Sequence, residues 1–151
     1  MVVHGKLIFE YSKINKDIYI GTNQCCQVHL NSKLIKKGIR ADISLEGKKI
    51  DQPFGAKYYL WLPTKDHIAP TQQQLSVGVA HINDLVKNKI SVYIHCQRGH
   101  GRAPTLVAAY LISKGMGVKE AISYIKKRRK KIHPNKKQIR ALEIFKRRLK
   151  K

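Results

Sequence analysis

The chain has 151 residues, 42% hydrophobic and 26% charged, a composition that fits one globular domain over 1–151 and excludes two full domains, a disordered chain and a collagen-like one. Thirty-one Lys and Arg against nine Asp and Glu give a net charge of +22, which costs the compact state self-repulsion and favours anionic partners: phosphate esters, nucleic acids or acidic lipids. No apolar run approaches the roughly 20 residues that span a bilayer, Met1 to Tyr19 is broken by His4, Lys6 and Glu10 where a signal peptide needs an unbroken apolar stretch, and three cysteines with no CxxC pair make no disulfide framework, so the cytoplasm is the expected compartment.

In chain order, Lys6 to Tyr11 and Asp17 to Gly21 read as short strands. A helix follows, capped by Asn23, with Val28, Leu34 and Ile35 among its apolar positions and Gly38 as its stop. Cys25 and His29, one helical turn apart with Cys26 nearby, lack a fourth ligand, so a half-buried helix position is favoured over a metal site. Ile39 to Leu45 is a strand with a turn at Gly47, and Lys57 to Leu62 is another, ending at Pro63. Trp61 and the tyrosines near it read as core or pocket wall. Thr71 and Gln74 have capping-box spacing, and Leu75, Val79, Ile82 and Val86 share one helical face. Ser91 to His95 is a short buried strand. The run Leu106 to Ile112 is a helix buried nearly all round, with Pro104 in its first turn and Gly115 at its end. Two amphipathic helices close the chain, one through Val118, Ala121, Ile122 and Ile125, the other through Ile139, Leu142, Phe145 and Leu149 after Pro134-Asn135. The alternation predicts an α/β fold: a central, mostly parallel sheet of four to five strands flanked by helices.

Charge is uneven along this order. Between Lys126 and Lys151 stand fourteen Lys or Arg against the single acid Glu143, which reads either as a solvated basic face or as a surface for an anion.

The segment His95 to Arg102, HCQRGHGR, joins the strand at Ser91 to the helix at Ala103. Backbone N–H groups in a short loop containing Gly99 and Gly101 can converge on one anion, and the helix N-terminus adds its positive dipole end. Gln97, Arg98 and His100 complete that cradle. Arg102, six residues after Cys96, offers a planar fork of donors to two phosphate oxygens. The same amides and Arg102 favour the thiolate form of Cys96, a nucleophile on the cradle floor. Displacing an alcohol from a phosphate ester also needs a proton donor on the leaving oxygen. Asp66, on the loop after the aromatic strand, is the leading candidate; Asp42, Asp51 and Asp84 compete with it. His67, beside Asp66, touches either substrate or solvent.

HCxxGxxR after a strand, with Asp66 thirty residues upstream, resembles the cysteine-based protein tyrosine phosphatase superfamily, in its small dual-specificity branch. The resemblance extends to DIYIGT (Asp17 to Thr22), LIKKGIRADISL (Leu34 to Leu45) and HPNKKQIRALEIF (His133 to Phe145). It implies that Cys96 becomes a phosphocysteine, that Arg102 binds phosphate and stabilises the transition state, that Asp66 is general acid and then base, and that His95 tunes the thiolate. It implies no metal and no organic cofactor. One position departs: the family usually has Ser or Thr after the arginine, whose hydroxyl helps the thiolate leave, and this chain has Ala103, with Thr105 two residues on. The expected partner is a phosphorylated protein, with an anionic phospholipid or inositol phosphate as the alternative, suggested by Arg98 and His100, and RNA as a further one.

Overall fold

A computed structural model describes residues 8–23 and 30–150. Five strands form one sheet in the order β1-β2-β5-β3-β4. β1 (Tyr11–Lys13) pairs antiparallel with β2 (Ile18–Gly21). β3 (Ile39–Glu46), β4 (Tyr58–Thr64) and β5 (Ser91–His95) run parallel to β2. The helices are α1 (Ser32–Lys36), α2 (Gln72–Lys87), α3 (Arg102–Ser113), α4 (Val118–Arg128) and α5 (Lys136–Leu149).

Period-2 alternation sorts the strand side chains between two cores. Ile18, Ile20, Val92 and Ile94 join Leu75, Ile82, Leu106, Leu142 and Phe145 in the larger cluster under α2 to α5. Tyr19, Ile39 and Tyr93 face the other way, onto Leu30 and Leu34. Each such buried aliphatic side chain contributes roughly 1.5–3 kcal/mol. Helix α3 is the central pillar: every residue from Arg102 to Ile112 is buried, because it packs against α2, α4, α5 and the sheet together. No helix among the described residues is long and apolar enough to cross a membrane.

Three sequence expectations shift. The first strand lies at Tyr11–Lys13 rather than Lys6 to Tyr11, set by the pairing of Tyr11 with Gly21; Lys6 and Leu7 lie outside the described residues. The helix after β2 is not capped by Asn23: Asn31 caps it, its side chain accepting from the Lys33 N–H, and it has only five residues. Gly38 ends it at φ 86°, a left-handed conformation that glycine adopts freely. Val28, Cys25, Cys26 and His29 fall outside the described residues. Pro63 sits inside β4 instead of ending it, which is tolerated because β4 is an edge strand.

The chain runs from β2 past β5's place to β3 and β4, and returns to fill the centre. The carboxyl end of β5 therefore lies between those of β2 and β3, with His95 opposite Gly21 on one side and Ser44 on the other. A topological switch of this kind opens a crevice at the strand ends.

Candidate active site

The loop from Cys96 to Gly101 fills that crevice. Gly99 has φ 71°, and a Cβ there would come within 2.6 Å of the Gly21 carbonyl oxygen; both conformation and space demand glycine. Gly101 is the N-cap of α3 and no side chain caps that helix end, so its first-turn N–H groups are free of side-chain acceptors. Pro104 is the third residue of α3, inside the first turn where an N–H is not needed.

A cavity of about 610 Å³ opens over the loop, walled by Asp66, Cys96, Arg98, His100, Arg102 and His133 among others. Cys96 is a free cysteine, 3% exposed. Arg102 is buried, its Nη1 donating to the Thr64 carbonyl at 2.8 Å and lying 3.5 Å from Glu46 Oε1. Its Nη2 is 3.6 Å from Asp66 Oδ1, and its buried Nε has no partner among the described residues, a donor suited to an anion's oxygen. Burial pushes the Glu46 carboxyl up, but the Asn23 amide, 2.7 Å away, and the Arg102 charge bring it below the usual carboxylate value.

Gln97, Arg98, His100 and Gly101 line the cavity with Cys96, whereas the Gly99 carbonyl is turned outward, onto Arg129. Asp66 is half-exposed at the rim, and its Oδ1 accepts from the His67 N–H at 2.9 Å. His67 holds φ 66°, unusual for a residue with a Cβ. It lines the same cavity, and its carbonyl accepts from Asn135 Nδ2 at 2.8 Å. The strained residue thereby ties the Asp66 loop to the start of α5.

His95 lies elsewhere. Strand alternation turns its ring to the face opposite Ile94, where it stacks on Tyr93 and does not line the cavity. Its Nδ1 is 2.8 Å from Asn23 Oδ1, and its Nε2 lies 2.9 Å from Asp42 Oδ1 and 2.8 Å from Asp51 Oδ2. Burial alone would drive the imidazole neutral, but the two carboxylates raise its pKa to about 10. At these distances an imidazolium pairs by charge with the two carboxylates, although Nε2 and the carboxylate oxygens make no aligned hydrogen bond among the described residues, and the same three buried groups converge closely enough to hold a cation. Asp42 and Asp51 are thus occupied behind the nucleophile, and Asp84 is exposed on α2; Asp66 alone of the four faces Cys96's cavity.

A folded-state pKa raised above the unfolded value of about 6.5 gives stability that is complete below pH 6.5 and fades as the pH rises through about 10. His95→Gln leaves two buried carboxylates unpaired and should cost about 3–5 kcal/mol, or about 10 °C in melting temperature. Melting curves of both proteins should show that gap at pH 7 and its narrowing toward pH 10. A gap independent of pH would assign the loss to packing.

Some residues of the site were not legible in sequence. Asn23 and Glu46 connect His95 to Arg102. Gln138 is 2% exposed and lines the cavity from α5, its Oε1 accepting from the Asn135 N–H at 2.9 Å; the only signal was its place in a capping box. Arg129, in the run that reads as a solvated face or an anion surface, is buried and bonded to the loop.

The sequence model of the family described as "Dual specificity phosphatase, catalytic domain" matches residues 18–148. Human dual specificity protein phosphatase 5 is 35% identical over 80 residues, which are 52% of this chain and 21% of that protein. The phosphatidylglycerophosphate phosphatase PTPMT2 of Arabidopsis thaliana is 31% identical over 85 residues, 54% of this chain and 37% of that protein. The chain spans well under half the length of these curated relatives. The crystal structure of human DUSP28 superposes with a TM-score of 0.82 at 17% identity, covering 92% of this chain and 97% of that one, a likeness of fold.

Proposed function

The chain belongs to the dual specificity phosphatase catalytic-domain family, and from that premise we propose that it hydrolyses phosphate monoesters of proteins through a phosphocysteine at Cys96. The observation that carries the reading is the juxtaposition of Cys96, the bare end of α3, Arg102 and Asp66 around one cavity. The Cys96 thiolate attacks phosphorus, and an S–P bond forms as the P–O bond to the leaving group breaks. Asp66 gives its proton to the departing oxygen. Water then attacks the phosphocysteine while the Asp66 carboxylate takes its proton, and the S–P bond breaks to release inorganic phosphate and the thiolate. Arg102 and the loop amides of residues 97–101 hold the equatorial oxygens throughout. His95 acts from behind, fixing the end of β5. A free thiolate in this role requires a reducing compartment, in keeping with the cytoplasm.

A second reading, a lipid or inositol phosphate as substrate, is supported by Arg98, His100 and His133 on the cavity wall, which suit a substrate with more than one anionic group. The two are separated by turnover of a phosphotyrosyl peptide, a phosphoinositide in vesicles and 5′-triphosphorylated RNA, all in the presence of a chelator. Faster release of phosphate from the peptide is the expected result. Preference for the lipid or the RNA would replace the protein reading, and activity that needs an added divalent ion would overturn the cysteine mechanism.

Ala103 bears on the second half-reaction. Its methyl is buried in the first turn of α3, and the Thr105 hydroxyl that could have substituted donates instead to the Gly101 carbonyl at 2.7 Å. Neither side chain offers a hydroxyl to the departing thiolate, and one missing hydrogen bond to a charge, about 1.5–3 kcal/mol, slows that step about tenfold or more. Rapid mixing with an aryl phosphate should therefore give a product burst near one equivalent of enzyme, and Ala103→Ser should raise steady-state turnover while shrinking it. A linear time course, with Ala103→Ser neutral, would show that expulsion of the thiolate is not limiting.

A further inference from the structure

Of the six basic residues Lys126 to Lys131, five are exposed and Arg129 is 2% exposed. It stands where α4 stops: its N–H closes the helix on the Ile125 carbonyl, and its extended backbone, φ −138° and ψ 91°, turns the chain away. The guanidinium divides its donors between two parts of the fold. Toward the loop, Nε donates to the Gly99 carbonyl at 2.9 Å and Nη2 to the Arg98 carbonyl at 2.9 Å. Toward the edge of the sheet, Nη1 donates to Ser12 Oγ and to Glu10 Oε2, both at 3.0 Å, and Nη2 also pairs with Glu10 Oε1.

The consequence follows from peptide geometry. No peptide bond among the described residues is cis, and in a planar trans peptide the C=O and the following N–H point in opposite directions. Holding the Arg98 carbonyl against Arg129 turns the Gly99 N–H the other way. Holding the Gly99 carbonyl does the same for the His100 N–H. A loop without that hold can rotate either peptide and present a carbonyl oxygen to an incoming anion, which repels it.

We propose that Arg129 is the positioning residue of the anion cradle, fixing two successive loop peptides with their N–H groups toward the phosphate and bracing them on Glu10 and Ser12. Arginine suits this task because one rigid plane serves two carbonyls and a carboxylate at once, which the single ammonium of lysine does not. Glu10 compensates the buried charge, and Gly99 leaves room for it: a Cβ there would lie 2.9 Å from Arg129 Nη2. The edge strand β1, which contributes no side chain to the cavity wall, thereby takes part in the site.

The inference rests on the phosphate-binding reading of the loop, and its test reads anion affinity separately from turnover. Tungstate binding is measured by calorimetry in a Cys96→Ser background, and aryl phosphate kinetics in the Cys96 protein. Arg129→Lys is expected to weaken tungstate about tenfold and to raise KM for the aryl phosphate, while Leu85→Ala, a core truncation in α2, lowers the melting temperature without moving tungstate affinity. Glu10→Gln, which leaves the arginine in place but loosens its brace, should weaken tungstate by about threefold, and it carries the test if Arg129→Lys fails to fold. Unchanged tungstate affinity in either folded variant would overturn the role of Arg129. A protein that binds tungstate but leaves aryl phosphate intact would overturn the hydrolytic reading alone, the Arg129 comparison standing, and absence of tungstate binding with Cys96 in place would overturn both.

Discussion

Cys96→Ser is expected to lose turnover by about ten-thousandfold or more while retaining its affinity for tungstate. In the proposed mechanism Cys96 is the nucleophile offered to a phosphate seated over the loop, and a serine hydroxyl in its place has no adjacent base to take its proton, since His95 is turned to the far face of the sheet and paired with Asp42 and Asp51. The amides, the α3 terminus and Arg102 are untouched by the exchange of sulfur for oxygen, so binding of a tetrahedral oxyanion survives. Steady-state hydrolysis of an aryl phosphate and calorimetric titration of tungstate measure the two halves of this statement. Normal turnover in the variant would sink the cysteine mechanism; loss of tungstate binding along with turnover would show that the sulfur itself shapes the cradle.

The second large effect concerns Asp66. Asp66→Asn is expected to reduce the rate about a hundredfold or more for a phosphotyrosyl or alkyl leaving group, and far less for one that departs without a proton, such as a nitrophenolate. The half-exposed carboxyl stands 3.6 Å from Arg102 Nη2, a place at the rim from which it can reach a leaving oxygen on the side away from the cradle floor. The asparagine keeps the size of the side chain and its acceptor for the His67 N–H, so the loop should hold its shape. The ratio of the two losses is the diagnostic measurement. Equal losses with both leaving groups would make Asp66 an anchor for Arg102 rather than a proton donor.

Local patterns in the sequence anticipated much of the scaffold because each depends on nearby residues alone. Thr71 and Gln74 form the reciprocal cap of α2, as their spacing predicted, and Asn135 with Gln138 does the same for α5. The alternation of apolar runs predicted the α/β class, and the fold is a five-stranded, mostly parallel sheet with flanking helices. The helix containing Leu34 is capped by Asn31 and not by Asn23, and Asn23 serves distant partners, its Oδ1 meeting His95 Nδ1 and its Nδ2 donating to the Glu46 carboxylate, as a short polar side chain can.

The order of the sheet, and with it the site, was decided by packing between segments far apart in the chain. Cys96, the two loop glycines and Arg102 were legible because an anion cradle is built from one short stretch whose residue types must tolerate its backbone. The choice among Asp42, Asp51, Asp66 and Asp84 was not, since all four are carboxylates and only the strand order puts two of them behind His95 and one beside Arg102. Arg129 was hidden for the opposite reason. Within six consecutive basic residues nothing local marks one as buried, and what draws it inward is the pair of loop carbonyls, thirty and thirty-one residues back, and the Glu10 carboxylate, 119 residues back. Side-chain type and local backbone are enough to nominate the groups for the chemistry; which charges meet depends on the packed fold, because burial makes an unpaired charge too costly to keep and so selects partners from distant parts of the chain.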